Sequence, residues 1–400
     1  MDESPSLSAA LRANAAYLTE TIGARPAGSP SERQAQEWLA EQLSGLGYRC
    51  EWQRFTFAPL PGFFPYYTLA AVWLIAAVWL LPEFPWPAIL APLWVSLLPS
   101  LRLWLQYRLP RTAKSHNLLC LPEGSTTDDL DVLLVAHVDT ARALPYAGGI
   151  LYALRVNWHA ILTRAGWIAA FFGGLAVLQV PIAPLLLALV RALLAAVGLV
   201  YIGLDYYDQR GSGGAFTRGA NDNASGVAVL LELAGWLTKR PHLHQRVGLL
   251  FTGAEETGLF GAYQAASRLK PLASRLAVVS VDMVGSGNGL RIFSGVRGWG
   301  GFSTDPVLTA QLQKADTSAR PYLAVRRSGD FEAFVRAGFR ATGIETNGSP
   351  AFWRAYHTQR DDLHLLDADR MAQTCLTLQR WLEQYRSNEQ DTRRTTLKQS

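Results

Sequence analysis

Apolar and polar positions along this chain fall into helical, alternating and continuous patterns, in an order that already suggests a layered fold. Residues 6–22 space Leu, Ala and Tyr at helical intervals. A second helix is predicted after Ser29, with Pro30 at its first position, Ser29 and Glu32 as a capping box, and Gly45 closing it. EWQRFTF (51–57) alternates as a strand does. DVLLVA (131–136), RVGLLF (246–251) and AVVSV (277–281) are unbroken apolar runs, the pattern of strands buried on both faces of a central sheet, and 116–120 reads as a further strand. NASGVAVLLELAGWLTKR (223–240) predicts a strong helix among them. The expected class is α/β, with a mixed, mostly parallel central sheet flanked by helices.

Two uncharged stretches interrupt that pattern, each divided by prolines. The first runs from Phe55 to Pro82, turns at PEFPWP, and continues from Phe84 to Leu101. The second runs from Ala165 to Val190 with a break at QVPIAP, and its apolar run extends to Leu204. Such lengths approach what a hydrocarbon layer of about 30 Å requires, so two inserted transmembrane hairpins, four helices in all, are expected. Trp73, Trp79, Trp86, Trp94 and Trp104 would anchor them at the interface. Arg102, Arg108, Arg111 and Lys114 flank the first hairpin, and Arg155, Arg164, Arg210 and Arg218 the second, while the far turns hold only Glu83. By the positive-inside rule, both chain ends and the segment between the hairpins face the cytoplasm of an inner or plasma membrane. Arg191 lies inside the last span, where a charge calls for a role. The implied division is 1–58, 109–148 and 209–387 for the α/β domain, 59–108 and 149–208 for the hairpins, and 388–400 for a polar, disordered tail. The sheet strands on either side of each insertion require an even number of crossings.

Composition sharpens this only in places. The chain is 49% hydrophobic and 17% charged, and the apolar excess sits mainly in the two insertions. A net charge of +5, without a basic run interleaved with aromatics, excludes a nucleic-acid partner. Cys50, Cys120 and Cys375 are distant and odd in number, which argues against a disulfide framework or a CxxC zinc site. Cys120 reads as a small core residue and a reducing compartment is the easier fit. The N-terminus lacks the basic start and apolar core of a signal peptide.

The chemistry lies where the apolar runs stop. DVLLVA runs into His137 and Asp139, VGLLFTGA into Glu255 and Glu256, and AVVSV into Asp282. Adjacent acids after a strand can simply complement a helix N-terminus. Three strand ends carrying such residues, joined by Asp222 at a helix start and His357 in a polar loop, are another matter, because open α/β sheets place their sites at strand C-termini. Two imidazoles and several carboxylates without a thiolate suit zinc, manganese or cobalt. Neighbouring side chains leave the backbone in different directions, so one of Glu255 and Glu256 can ligate while the other reaches an attacking water.

HVD, GANDNASG, GAEETG, the Asp after AVVSV, YHTQRDDL and the N-terminal GARPAGSPSE together resemble the motif series of the co-catalytic di-zinc aminopeptidases of the bacterial leucyl aminopeptidase and aminopeptidase Y type. The resemblance covers the chain outside the two hairpins and the tail, and implies a zinc exopeptidase-like fold. It implies two zinc ions (cobalt or manganese in their place) bridged by Asp222, with His137 and Asp282 on one and Glu256 and His357 on the other. It makes Glu255 the general base, with Asp139 accepting a hydrogen bond from His137, and it implies a cis peptide at Asp222–Asn223. Asp330, in SGDFEAF, matches a loop where the family often has Asp followed by His, and here Phe331 replaces that His. Asp330 and Tyr356 are substrate-pocket candidates, Tyr356 either polarising the substrate carbonyl or packing.

The expected protein is therefore a membrane-embedded metallo-aminopeptidase acting on peptides, with the bilayer as partner and homo-oligomers left open. A carboxypeptidase or glutaminyl cyclase on the same fold is the alternative within enzymes. A non-catalytic receptor or scaffold is the alternative outside them.

Overall fold

The computed structural model describes residues 6–59, 66–145, 149–211, 214–298, 300–325 and 327–399. The chain divides into a sheet unit (residues 1–57, 111–142 and 216–400) and a helical unit (58–110 and 143–215).

In the sheet unit the strands are β1 (Tyr48–Phe57), β2 (Ala113–Pro122), β3 (Val132–His137), β4 (Val247–Thr252), β5 (Ala277–Val281), β6 (Leu290–Arg297), β7 (Phe302–Ser303), β8 (Arg320–Val325) and β9 (Arg340–Thr346). Among the described residues they form one sheet in the order β1-β2-β4-β3-β5-β9-β6-β7, with β8 pairing β6. The centre, β4-β3-β5-β9, is parallel, and antiparallel pairs carry it outward at β1–β2, β2–β4 and β9–β6. The continuous apolar runs have the expected cause. Leu134, Ala136, Leu249, Phe251 and Val279 pack on one face beneath helix Ser225–Thr238. Leu133, Val135, Leu250 and Val278 pack on the other against helices Phe260–Arg268 and Phe331–Arg336. Burial on both faces leaves no polar alternation to read. All four parallel strands thus point their C-terminal ends the same way.

Ser29 caps helix Pro30–Ser44 by accepting from Glu32 N at 3.1 Å, and Gly45 follows its end. The capping box is only half made. The Glu32 carboxylate turns instead to Gly28 N (2.7 Å), the Ser115 hydroxyl (2.8 Å) and Ala254 N (3.3 Å), because the helix start is buried against the sheet rather than open to water. The last helix, Ala368–Gln399, runs on through the expected polar tail, which contains no Gly or Pro to stop it.

The cysteine expectation is overturned. Antiparallel pairing sets Cys50 opposite Cys120, Cα atoms 4.0 Å apart, and a disulfide joins them, leaving Cys375 free and buried. Sequence separation hid this, because the separation of 70 positions is made up largely of the first insertion rather than a loop. A disulfide fits an oxidising compartment, so the reducing one loses its support.

The helical unit also departs from expectation. Two of the described helices, Trp158–Val177 and the Pro184–Asp208 stretch of helix Pro184–Gly211, are long and apolar enough to cross a membrane, not four. The first apolar stretch begins with β1 residues and then gives helix Tyr66–Trp79, whose 14 residues reach only about 21 Å. Pro82, Pro85 and Pro87 interrupt the chain beyond that helix, which continues as the short helix Trp86–Ile89 and then Ala91–Arg108. The helices approach closely where glycine allows it: a side chain on Gly166 would meet Pro92 at 3.0 Å, and one on Gly198 would meet Ile75 at 2.8 Å. Trp167, Phe171, Leu185, Leu189, Leu193 and Leu199 stay exposed, a wider apolar surface than a water-facing helix carries. Arg191 now has a role. Its guanidinium donates to the carbonyls of Val78 (3.1 Å), Trp79 (3.3 Å) and Leu81, closing the C-terminal end of the Tyr66–Trp79 helix.

Peptide mapping of the unreduced protein should recover a linked Cys50–Cys120 pair with Cys375 as free thiol. Replacing both partners (Cys50→Ser, Cys120→Ala) should cost about 2–4 kcal/mol of unfolding free energy. Recovery of Cys50 as free thiol would refute the pairing.

Candidate metal centre

The candidate residues come from five separate places in the chain. β3 ends on His137; the loop after β4 carries Glu255 and Glu256; Asp282 follows β5; Asp222 sits in the turn Ala220–Ala224 before helix Ser225–Thr238; His357 follows the short helix Pro350–Ala355. In that turn the Asp222–Asn223 peptide is cis, as the resemblance implied. The structure brings these residues to one place. His137 Nε2 lies 3.1 Å from Asp222 Oδ1 and 3.5 Å from Asp282 Oδ1, and His357 Nε2 lies 3.3 Å from Asp222 Oδ2 and 3.4 Å from Glu256 Oε2. Ligand atoms of His137, Asp222 and Glu256 all fall within 4.8 Å of one another. The two oxygens of Asp222 therefore face different histidines.

These contacts are not hydrogen bonds. His137 Nε2, His357 Nε2, Asp282 Oδ1 and Glu256 Oε1 are buried and have no hydrogen-bond partner among the described residues. Buried polar atoms normally find one, so four converging orphans of ligand type mark a place where cations fit. His137 Nδ1 lies 3.0 Å from the main-chain oxygen of Asp139, which can only accept, so that nitrogen carries a proton and Nε2, facing the carboxylates, is the nitrogen that a bound cation would take. That is the arrangement a metal requires.

The electrostatics agree. Burial disfavours a charged His137, yet Glu255, Asp222 and Asp282 raise its pKa well above the usual imidazole value. Burial, then the charges of Asp222 and Glu255, pushes the Glu256 carboxyl well up. Burial does the same to Glu255, aided by Asp330, Asp282 and Asp139 and opposed by His137. Burial alone would raise Asp222, but its contacts with His137 and His357 hold it well below the usual carboxylate range. A pocket with this much negative potential accepts divalent cations.

Backbone strain gathers at the same place. Ala254, Met283 and His357 have φ of 55°, 50° and 54°, the left-handed region that residues with a Cβ avoid.

Asp139 departs from the expected contact. The hydrogen-bonding partner of His137 is its main-chain carbonyl, with the nearer carboxylate oxygen at 3.8 Å, because the carboxylate is engaged elsewhere. It accepts from Glu255 N (3.0 Å) and Glu256 N (3.1 Å), one amide per oxygen. Asp330 is buried, takes a hydrogen bond from Thr252, and is raised to about 7 mainly by burial. Phe331 beside it packs on Phe293, ring centres 4.6 Å apart. Tyr356 stacks on His357 at 3.9 Å, and burial with the charges of Asp222 and Glu256 keeps its hydroxyl protonated, so it packs and retains a donor.

Among known proteins, residues 204–381 match the family model described as peptidase family M28. A probable lipoprotein aminopeptidase, LpqL, of Mycobacterium tuberculosis is 32% identical over 141 residues, 32% of this chain and 28% of that protein. A probable zinc metalloprotease of Pyrenophora tritici-repentis is 36% identical over 100 residues, 23% of this chain and 20% of its own length. The chain thus spans less than a third of the length of these curated relatives. Among solved structures, a zinc aminopeptidase of Bacillus subtilis matches with TM-score 0.54 at 14% identity, covering 96% of each chain. Porphyromonas gingivalis glutaminyl cyclase matches with TM-score 0.53 at 14% identity, covering 95% of this chain and 100% of that one. At that identity the likeness is one of fold.

Three residues of this site escaped the sequence reading although they stand inside its motifs. Asp361, in YHTQRDDL, accepts from Asn221 N (2.9 Å) and Asp222 N (3.1 Å), and is raised to about 7 by burial and then by Asp222. Glu32, in GARPAGSPSE, reaches the loop of Glu255 through Ala254 N (3.3 Å). Arg25 of the same segment is buried beneath His137 and Asp222 with every side-chain hydrogen bond going to main-chain oxygen. Their sequence signal was only membership of a motif, since each acts through backbone that no spacing displays.

Asp139→Asn would set an amide N–H against one of the two amides it now holds. It should weaken metal retention by about 10–100-fold with little change in secondary structure, checked by chelator competition and circular dichroism. Unchanged retention would mean that the Glu255–Glu256 loop is held without it.

Proposed function

We propose that this chain is a zinc-dependent exopeptidase that removes N-terminal residues from peptides. The observation that carries the reading is the division of Asp222 between His137 and His357, with Asp282 on the first side and Glu256 on the second. That donor set suits two ions about 3.5–4 Å apart, the spacing of hydrolytic pairs. His137 and Asp282 would hold one, Glu256 and His357 the other, and Asp222 both; cobalt or manganese would satisfy the same donors.

Bound zinc supplies Lewis acidity, making water acidic near neutral pH and countering charge that develops on the scissile carbonyl oxygen. Glu255 is the group left over for proton transfer. Its neighbour Glu256 faces His357, and both amides are pinned by Asp139, so Glu255 projects with a fixed origin. Its raised pKa suits a base that takes a proton from the attacking water and returns it to the leaving amine. Tyr356, protonated beside His357, can donate to the substrate carbonyl, and Asp330 with Thr252 borders the same space as Glu255.

The helical unit anchors the enzyme in a bilayer in this reading, supported by the apolar surfaces of Trp158–Val177 and Pro184–Asp208. The Cys50–Cys120 bond weighs against the cytoplasmic side expected from flanking arginines. Peptides and lipid are the proposed partners. Glutaminyl cyclisation is the second reading, favoured only by the fold of the Porphyromonas gingivalis enzyme, and zinc stoichiometry separates it, since a cyclase needs one ion.

Detergent-purified protein with zinc should hydrolyse a panel of aminoacyl arylamides, and Glu255→Gln should lower kcat by at least about 10²–10⁴-fold while KM moves little. Chelation should abolish activity and zinc restore it. A Glu255→Gln variant as active as the parent would remove Glu255 from the mechanism.

A further inference from the structure

Arg25 is 1% exposed, and its side chain makes no salt bridge within 4 Å among the described residues. All of its side-chain hydrogen bonds go to main-chain carbonyls. Nε donates to Val138 at 2.9 Å, between His137 and Asp139. Nη1 donates to Leu18 (2.8 Å), Gly23 (2.7 Å) and Arg218 (3.0 Å), and Nη2 to Gly219 (3.2 Å), three residues before Asp222. Its own backbone is tied to the same place: Arg25 N donates to Thr140 Oγ at 2.9 Å, and Thr140 N donates to Arg25 O at 3.0 Å.

One planar guanidinium therefore spans the segment carrying His137 and the segment carrying Asp222, which are 85 positions apart and separated by half of the helical unit. The two segments abut where it acts. Gly219 has φ of 59°, and a Cβ there would come within 2.5 Å of the Thr140 methyl and 3.2 Å of Arg25 Nη2. We propose that Arg25 is the positioning residue that fixes the distance between His137 and Asp222, and so sets the affinity of the metal site they share. This deepens the zinc-peptidase reading and rests on it for the identity of the ion.

Two physical features make Arg the residue for the task. Its fixed fork addresses carbonyls in different directions at once, which a lysine ammonium on a flexible stem does not. Its charge is also within reach of the charges of Asp361, Asp139 and Asp222, whose fields favour the cation although burial brings its pKa down to about 10. Arg25 thus offsets part of the negative potential without taking a carboxylate oxygen as a hydrogen-bond partner.

The test compares wild type, Arg25→Lys, Arg25→Met and Thr140→Val as detergent-purified full chains, with Leu312→Ala as the stability control. Leu312 is a core residue on helix Pro306–Ala315, which supplies no site residue. Zinc affinity is read by chelator competition, metal content by mass spectrometry, and Tm alongside. Both Arg25 variants should bind zinc about 10–100-fold more weakly, with Lys failing to rescue, and Thr140→Val, which removes one tether and is the mildest change, should show a smaller loss in the same direction. Leu312→Ala should lower Tm and leave zinc affinity at the wild-type value. Zinc binding within twofold of wild type in Arg25→Lys, or in Thr140→Val should the Arg25 variants not fold, would overturn the proposal, as would an equal loss in Leu312→Ala. Wild type that binds zinc with this Arg25 dependence but cleaves no aminoacyl arylamide would uphold the positioning role and remove the aminopeptidase reading.

Discussion

Concentrated buried negative charge is the constraint around which the sheet unit is organised. Asp139, Asp222, Asp330 and Asp361 are buried within one region, and Glu32, Glu255, Glu256 and Asp282 adjoin them. Carboxylates so placed repel one another and lose their hydration, a cost that only hydrogen-bond donors and cations can offset. The fold divides the two kinds of compensation. Asp139, Asp361 and Glu32 take main-chain amides at 255, 256, 221, 222, 28 and 254, leaving no need for metal. Asp222, Glu256 and Asp282 face imidazole nitrogens instead and keep oxygens in reserve.

That division explains why the strained backbone sits where it does. An amide can be aimed at a carboxylate beneath the sheet ends only if the chain turns sharply after the strand. Ala254 makes that turn in a left-handed conformation one residue before Glu255, whereas left-handed Met283, one residue after Asp282, gives its amide to the Asn223 side-chain oxygen at 3.2 Å. Each left-handed residue of this kind costs on the order of 1 kcal/mol or more. Bonds from amides to charged acceptors are each worth about 1.5–3 kcal/mol and outweigh it. At Ala254 the strain is thus held by the same carboxylates, Glu32 and Asp139, that the turn presents amides to.

Much of this was legible in the sequence. The strand ends at His137, Glu255 and Asp282 could be read because parallel strands buried on both faces leave unbroken apolar runs, and a run that stops on an acid announces its own terminus. Asp222 and His357 were legible from motif context. What escaped was whatever depends on a register or a backbone direction. Cys50 and Cys120 became partners only once β1 and β2 were aligned across the first insertion. Glu32 read as a capping residue because spacing shows the helix it begins, not the Ala254 amide that packing brings to it. Four membrane helices were expected because hydropathy counts apolar residues and not where helices begin, whereas the first stretch opens as part of β1 and leaves helix Tyr66–Trp79 only about 21 Å long.

Arg191 and Arg25 show one physical rule at work in two units of the same chain. Each is an arginine in surroundings that disfavour charge, and each is satisfied chiefly by main-chain carbonyls, those of Val78, Trp79 and Leu81 for Arg191 and those of Val138, Arg218 and Gly219 among others for Arg25. Carbonyls at segment ends keep acceptor capacity to spare, and a guanidinium has donors enough for several. Such an arginine fixes where segments end relative to each other, which neither apolar packing nor a single salt bridge achieves. In the helical unit the result is a closed helix terminus. In the sheet unit the same device holds together two loops whose side chains share a site, so a residue that touches no ligand atom governs the spacing between ligands.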